Sequence, residues 1–226
     1  MNNKKYIVFL DLDGTITTVN SGYALMRTAW LKKMISRKEL LNAIAVSILH
    51  RLKLLPAEKI IVKMGKWLRG TRQEKLSDLA FQAAETHILN SVFDEVLDEI
   101  RMHRSNNADF ALLSSAILEI CKPVALHLGI DNIICTEMEC PDGKFSGSPS
   151  GNYCFGKEKA RRLKAFCHEK GFAEEEAYYY ADSFSDISAL GSVGNPVCIN
   201  PGKRLRRKAE KNGWVTMKWN NYGRKK

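Results

Sequence analysis

The sequence predicts an α/β fold: a doubly wound parallel sheet, Rossmann-like in layout, with an α-helical domain inserted into it. Three observations carry this reading. Four short apolar runs rich in β-forming residues, "YIVFL", "DFALLSS", "AYYYADS" and "PVCIN", are each bounded by turn or acidic residues. Helical patterns lie between them, which argues for a parallel sheet covered on both faces. Residues 21–89 keep a helical period, broken only at Pro56, Gly65 and Gly70, and that is too much helix for one crossover between strands.

In chain order, "YIVFL" runs straight into "DLDGT", and the helical insertion follows at once. The division expected is an α/β core from residues 1–14 and 86–226, with a helical domain over 15–85. Within that domain, "LLNAIAVSIL" is about half the length needed to span a bilayer and contains Asn42 and Ser47, so a buried helix is expected. After the second run, "AILEICKPVALHL" and "GKEKARRLKAFCHEKG" have helical spacing, the latter closing on Gly171 as a C-cap. The stretch "ICTEMECPDGKFSGSPS" reads as a hairpin with Asp142 and Gly143 at its turn.

A chain of 226 residues, 45% hydrophobic and 27% charged, can bury one sizeable core plus a small insertion and is too apolar to be a disordered tail. Its N-terminus has five apolar residues before Asp11, too few for a secretion signal. Six cysteines, no two separated by just two residues, suggest neither a zinc knuckle nor a redox pair. Reduced, mostly buried thiols in a cytoplasmic protein are expected. His87, His103 and His127 have no metal-ligand spacing.

The net charge of +10 is unevenly spread. Residues 15–85 hold 13 Lys/Arg against 5 Asp/Glu, residues 86–202 hold 10 against 17, and residues 203–226 hold 10 against 1. An anionic substrate or an acidic membrane surface would be drawn to the basic segments. Solvated faces are the plainer expectation for the C-terminal run and for Arg161, Arg162 and Lys164. Trp30 and Trp67 are expected to pack in the helical domain, with the alternative that one lines a substrate entrance.

The chemistry lies at the strand ends. In an open parallel sheet, ligands bind beyond the carboxyl ends of the strands. The first predicted strand ends in Asp11 and Asp13, the second in Ser114 and Ser115, and the third in Asp182 with Asp186 four residues on. Lys159 begins the helix leading into the third. Carboxylates so grouped repel one another unless a cation sits among them, and magnesium (Mg2+) accepts one or two carboxylates plus waters and phosphate oxygens. A carboxylate that attacks phosphorus, an acid for the leaving alkoxide, and cationic and hydrogen-bonding groups for the equatorial oxygens are what phosphoryl transfer requires. Gly14 would let the backbone approach the phosphate.

"DLDGT", the serine of "ALLSS", the lysine of "CFGKEKARRL" and the "DSFSD" cluster together resemble, in order and type, the four motifs of the haloacid dehalogenase superfamily. The helical insertion resembles that superfamily's first-position cap domain. "CINPGKRLRRKAEKNGW" resembles its phosphoserine-phosphatase-like branch. The resemblance implies that Asp11 is the nucleophile that becomes an aspartyl phosphate. It makes Asp13 the general acid and later base, has Ser114 (with Ser115 beside it) bind a phosphoryl oxygen, and has Lys159 neutralise charge. Lys157 competes for the last role, although Leu163, four residues after Lys159, suits the family spacing. Magnesium would be held by Asp11, the Asp13 carbonyl and Asp182, with Asp186 nearby in water-mediated reach.

One position departs from the branch. Phosphoserine phosphatases place a glutamate nine residues after the nucleophile to engage the substrate amine, and this chain has Asn20 there. The expectation is therefore a magnesium-dependent phosphomonoesterase acting on a small phosphorylated metabolite or a phospholipid headgroup. Phosphoserine is an alternative and so, from the same motifs, is a phosphomutase. A non-catalytic protein whose basic surfaces dock on membrane or nucleic acid is the alternative from another class. An acidic membrane met peripherally through the basic cap and C-terminal tail is the expected further partner; nucleic acid is not expected.

Overall fold

A computed structural model describes residues 5–51 and 65–220. The elements are β1 (Ile7–Leu10), α1 (Ser21–Leu31), α2 (Arg37–Arg51), α3 (Gln73–Ala83), α4 (Asp94–Ser105), β2 (Asp109–Ile117) and α5 (Leu118–Leu128). They continue with β3 (Asn132–Thr136), α6 (Lys157–Lys170), β4 (Tyr178–Ala181), the short α7 (Ile187–Leu190), β5 (Asn195–Ile199), α8 (Lys203–Asn212) and β6 (Val215–Met217). The strands form one six-stranded sheet in the order β3-β2-β1-β4-β5-β6, every pairing parallel.

β1 is central because "IVFL" is apolar on both faces. Val8 and Leu10 point into a core built with α1, α3, α4 and α5, while Ile7 and Phe9 point into a second core under α6, α7 and α8. The chain reverses direction across the sheet at β1, with β2 on one side and β4 on the other. That is where a doubly wound sheet opens a crevice at its carboxyl end.

The helical cap grows out of the loop after β1 and returns ahead of α4. Its two connections lie side by side: Phe93 N donates to Ile16 O at 3.1 Å and Thr18 N to Ser91 O at 3.1 Å, and the Thr17 and Ser91 hydroxyls are hydrogen-bonded. Helix α2 starts with a capping box, in which Ser36 N donates to Glu39 Oε2 at 2.7 Å and Glu39 N to Ser36 Oγ at 3.2 Å.

Several sequence expectations are corrected. β3 and β6 were not foreseen. Ile134 and Thr136 pair in parallel with β2, so the stretch starting at Ile134 is a sheet strand first. Only then does it become a loop with antiparallel contacts, such as Glu139 N to Ser148 O at 2.9 Å, turning at Asp142 (φ 50°) and Gly143 (φ 71°). β6 is three residues of a basic tail that alternation cannot reveal; it adds to β5 through Val197 and Val215. Helix α2 is not buried where its side chains are described, since Leu41 is 64% exposed; the expected buried run extends into side chains outside the described residues. Gly171 does end α6 in the left-handed conformation, and all six cysteines are free thiols.

Candidate active site

The site begins with the turn that ends β1. Asp11 is still in register with the sheet, its N–H donating to Tyr180 O at 3.0 Å. The Leu12 carbonyl then accepts from Ile16 N at 2.9 Å and Thr17 N at 3.1 Å, which winds the chain tightly. Leu12 is wholly buried in the core, so Asp11 and Asp13 on either side of it are turned toward the crevice. Gly14 has φ 82°, and a Cβ placed on it would stand 2.3 Å from Asp182 Oδ2. The missing side chain lets Asp182 close on the turn.

Lys159 enters from α6 and is 1% exposed. Its Nζ donates to Asp11 Oδ1 at 2.7 Å, to Asp186 Oδ1 at 2.7 Å and to the Tyr179 hydroxyl at 3.2 Å. Tyr179 in turn donates to Asp186 Oδ1 at 2.8 Å. Lys157 is exposed on the same helix, so geometry selects Lys159. Ser114, 2% exposed, accepts from Ala116 N at 3.1 Å at the end of β2. Ser115 uses its carbonyl to accept from Thr136 Oγ1 at 3.0 Å.

Asp13 is held by the start of the cap. Ser21 N donates to its Oδ1 at 2.8 Å, and Ser21 Oγ and Asn20 Nδ2 donate to its Oδ2 at 3.1 and 3.0 Å. Asn20 also caps α1, its Oδ1 accepting from Tyr23 N at 2.9 Å. The residue expected to face a substrate therefore faces Asp13 instead.

Electrostatics follow from this crowding. Burial pushes the Asp11 carboxyl up to about 8; Lys159 pulls it back, and Asp186 and Asp182 push it further. Asp182 rises to about 7 through burial and repulsion by Asp186. Asp13 is raised by burial, against the hydrogen bonds from Ser21. Burial disfavours the Lys159 charge, but Asp11 and Asp186 outweigh it and hold the ammonium well above the ordinary lysine range. Three carboxylates around one ammonium leave negative charge unbalanced. Asp11 and Asp182, with the Asp13 main-chain carbonyl, are hard oxygen donors that could hold a magnesium ion. Among the described residues no group of three or more His, Cys, Asp or Glu side chains is placed to hold a metal ion by itself.

Sequence reasoning missed Tyr179, Ser21 and Tyr153. The alternation in "AYYYADS" put Tyr179 on the face covered by α6, which was the available signal for the first. Arg162, expected to be solvated, donates to Cys135 O and Asn152 O, each at 2.5 Å, and ties α6 to β3. The tail tryptophans also turn inward: Trp219 is buried and stacks on Tyr180 at 6.2 Å, and Trp214 packs on the α6–α8 core.

The site thus has two carboxyls on a strand-end turn, the first of them joined through a buried lysine to Asp186. The family model described as haloacid dehalogenase-like hydrolase matches residues 8–191, and the chain belongs to that family. It is similar to a probable phosphatase of Mycobacterium tuberculosis, 26% identical over 212 residues that cover 92% of this chain and 74% of that one. A histidinol-phosphatase of Neisseria meningitidis is 30% identical over 122 residues, 52% of this chain and 55% of that one. Among solved structures, a Bordetella pertussis protein of unknown function has a TM-score of 0.86 at 23% identity, covering 95% of this chain and 98% of that one. A phosphoserine phosphatase with a phospho-aspartyl intermediate analogue has a TM-score of 0.71 at 17% identity, covering 95% and 93%. Those two structures share the fold. Within its family the chain is a phosphatase.

The raised carboxyls set a pH dependence. Unfolded aspartates titrate near pH 4, whereas Asp11 and Asp182 fold with values of about 8 and about 7. Between those limits the folded chain binds more protons than the unfolded one, so stability falls as pH rises through the window. The metal-free protein is expected to melt at a lower temperature at pH 8 than at pH 5, with added magnesium raising the melting temperature more at pH 8. A metal-free melting temperature that is flat or rises across that window contradicts this electrostatic account.

Proposed function

We propose that this phosphatase is a magnesium-dependent phosphomonoesterase that works through a phosphoryl group carried on Asp11. The observation that carries the reading is the Lys159 ammonium, buried and 2.7 Å from Asp11 Oδ1. It holds that carboxylate in place and offsets charge on the incoming phosphoryl group.

In the first step a carboxylate oxygen of Asp11 attacks phosphorus, the bond from phosphorus to the ester oxygen breaks, and Asp13 gives its proton to the departing alkoxide. In the second, Asp13 takes a proton from water, the water oxygen bonds to phosphorus, and the bond to Asp11 breaks to release inorganic phosphate. Ser114, whose oxygen accepts from Ala116 N, has its hydrogen left for a phosphoryl oxygen. Asp11, Asp182 and the Asp13 carbonyl would hold magnesium, which when bound neutralises these acids and draws charge from the phosphoryl oxygens. Asp186 and Tyr179 fix the lysine, while Asn20 and Ser21 fix Asp13. The substrate is a small phosphorylated metabolite or a phospholipid headgroup. Phosphoserine is the weaker choice, because Asn20 is engaged with Asp13 and with Tyr23 N.

With magnesium present, phosphate release from a panel of phosphomonoesters is expected from the native chain. Asp11→Asn should lower kcat by on the order of 10^4-fold or more, and Asp13→Asn by about 10^2- to 10^4-fold. Chelation of magnesium should stop turnover. Equal activity of the native chain and Asp11→Asn, or turnover indifferent to chelation, would sink the proposal.

A peripheral contact with an acidic membrane is a second proposal, supported by α8. Lys203, Arg204, Arg206, Arg207 and Lys211 are exposed there, while Leu205 and Ala209 face the core. With Trp214 and Trp219 packed inward, the charge on α8 is what supports the contact. No helix among the described residues is long and apolar enough to cross a membrane. Co-sedimentation with phosphatidylserine vesicles should therefore weaken steeply with added salt; binding that ignores salt, or no binding at low salt, refutes the contact.

A further inference from the structure

The pocket beside the acid identifies what kind of leaving group the site accepts. It lies between cap and core, with a volume of about 90 Å³. Leu25 and Met26 of α1 and Trp67 of the cap face Ile117, Ile120 and Met138 of the core across it. Among the described residues that line it, none carries a charge, and the Tyr153 hydroxyl and the Trp67 indole N–H are the polar side-chain groups.

Its position ties it to the reaction. The lining residue Gly22 follows Ser21, whose N–H and hydroxyl both hold Asp13. The lining residue Ala116 donates its N–H to Ser114 Oγ at 3.1 Å. Tyr153 sits close enough to Asp13 and Lys159 to feel both charges. The pocket therefore opens on the side of Asp13, and the group that receives the proton of Asp13 is the leaving group. Resting on the phosphomonoesterase reading above, we propose that this pocket binds the apolar body of the leaving alcohol, so that the substrates are phosphomonoesters of apolar alcohols rather than of amino acids or polyols.

Among the described residues of the cap, Arg27, Lys32, Lys33, Arg37 and Lys38 are exposed, and none of them lines the pocket. A zwitterionic leaving group such as serine would have to shed its hydration shell against Leu25, Met26 and Ile117 with no charged partner among the described lining residues, which is unfavourable. An alkyl or aryl group gains by the same transfer. In an apolar site one matched methylene changes kcat/KM by about 10-fold or more.

The test compares kcat/KM, with magnesium, for methyl phosphate, butyl phosphate, hexyl phosphate, benzyl phosphate, glycerol phosphate and phosphoserine. Methyl phosphate, too small to fill the pocket, reports the chemistry. Rates are expected to rise from methyl to hexyl or benzyl phosphate and to exceed those for phosphoserine and glycerol phosphate by about 10-fold or more. Met138→Lys and Ile117→Asn should shrink the ratio of hexyl to methyl phosphate by a similar factor. A ratio within each variant is insensitive to how much of it folds.

Lysophosphatidic acid in mixed micelles, set against soluble hexyl phosphate, distinguishes a lipid source from a free ester. Preference for either bears out the apolar chemistry. A preference for phosphoserine or glycerol phosphate, or a rate indifferent to apolar size, overturns the inference while leaving the phosphatase reading standing. If methyl phosphate and the other esters are all untouched, or are turned over equally by Asp11→Asn, the phosphomonoesterase reading itself fails, and this inference with it.

Discussion

The site depends on one buried ammonium. Lys159 reaches through the core under α6 to place Nζ 2.7 Å from Asp11 and 2.7 Å from Asp186, with the Tyr179 hydroxyl closing the group. Burying such a charge is expensive unless it is paired and hydrogen-bonded, and here every partner comes from a different element. β1 supplies Asp11, the segment after β4 supplies Asp186 and β4 itself supplies Tyr179. The order of strands in the sheet is therefore what lets the lysine remain charged. In return, the lysine holds together carboxylates that would otherwise repel one another.

The second constraint is the way the cap is attached. Asp13 stands on the core but takes its hydrogen bonds from Asn20 and Ser21, the first residues of the cap. The acid and the cap helix consequently share an anchor, and the apolar pocket begins one residue further along at Gly22. Proton delivery and choice of leaving group are coupled in the proposed mechanism because they use the same turn of chain. The paired segments at residues 16–18 and 91–93 fix where that turn leaves the sheet.

Asp11, Asp13, Ser114 and Asp182 stand out in the sequence because polar residues directly following an apolar strand have few uses in a parallel sheet, whereas Lys159, at the start of a helix, was singled out by its place ahead of the third strand and by the family spacing. The central strands were legible for the same reason, as each reads as a continuous apolar run buried on both faces. Partnership was harder to read. Asn20 has the composition of a substrate contact, yet it spends its side chain on Asp13 and on the α1 cap. Tyr179 looks like strand filler until the helix above it is known to carry Lys159. β6 and the inward turn of Trp219 depend on contacts with residues far away in the chain, Val197 and Tyr180, which no local pattern encodes. The cap's charge was counted correctly, but which way it faced depended on helix packing.

The central claim, that the lysine-held carboxylate of Asp11 is the group that accepts phosphorus, is open to direct observation. Native protein mixed with magnesium and a turned-over phosphomonoester, quenched in acid within the first turnover and digested, should yield one phosphorylated peptide, with the phosphoryl group on Asp11. Product released with no phosphorylated peptide at any quench time, or a phosphoryl group found on Asp13 or Asp182 instead, would contradict the account.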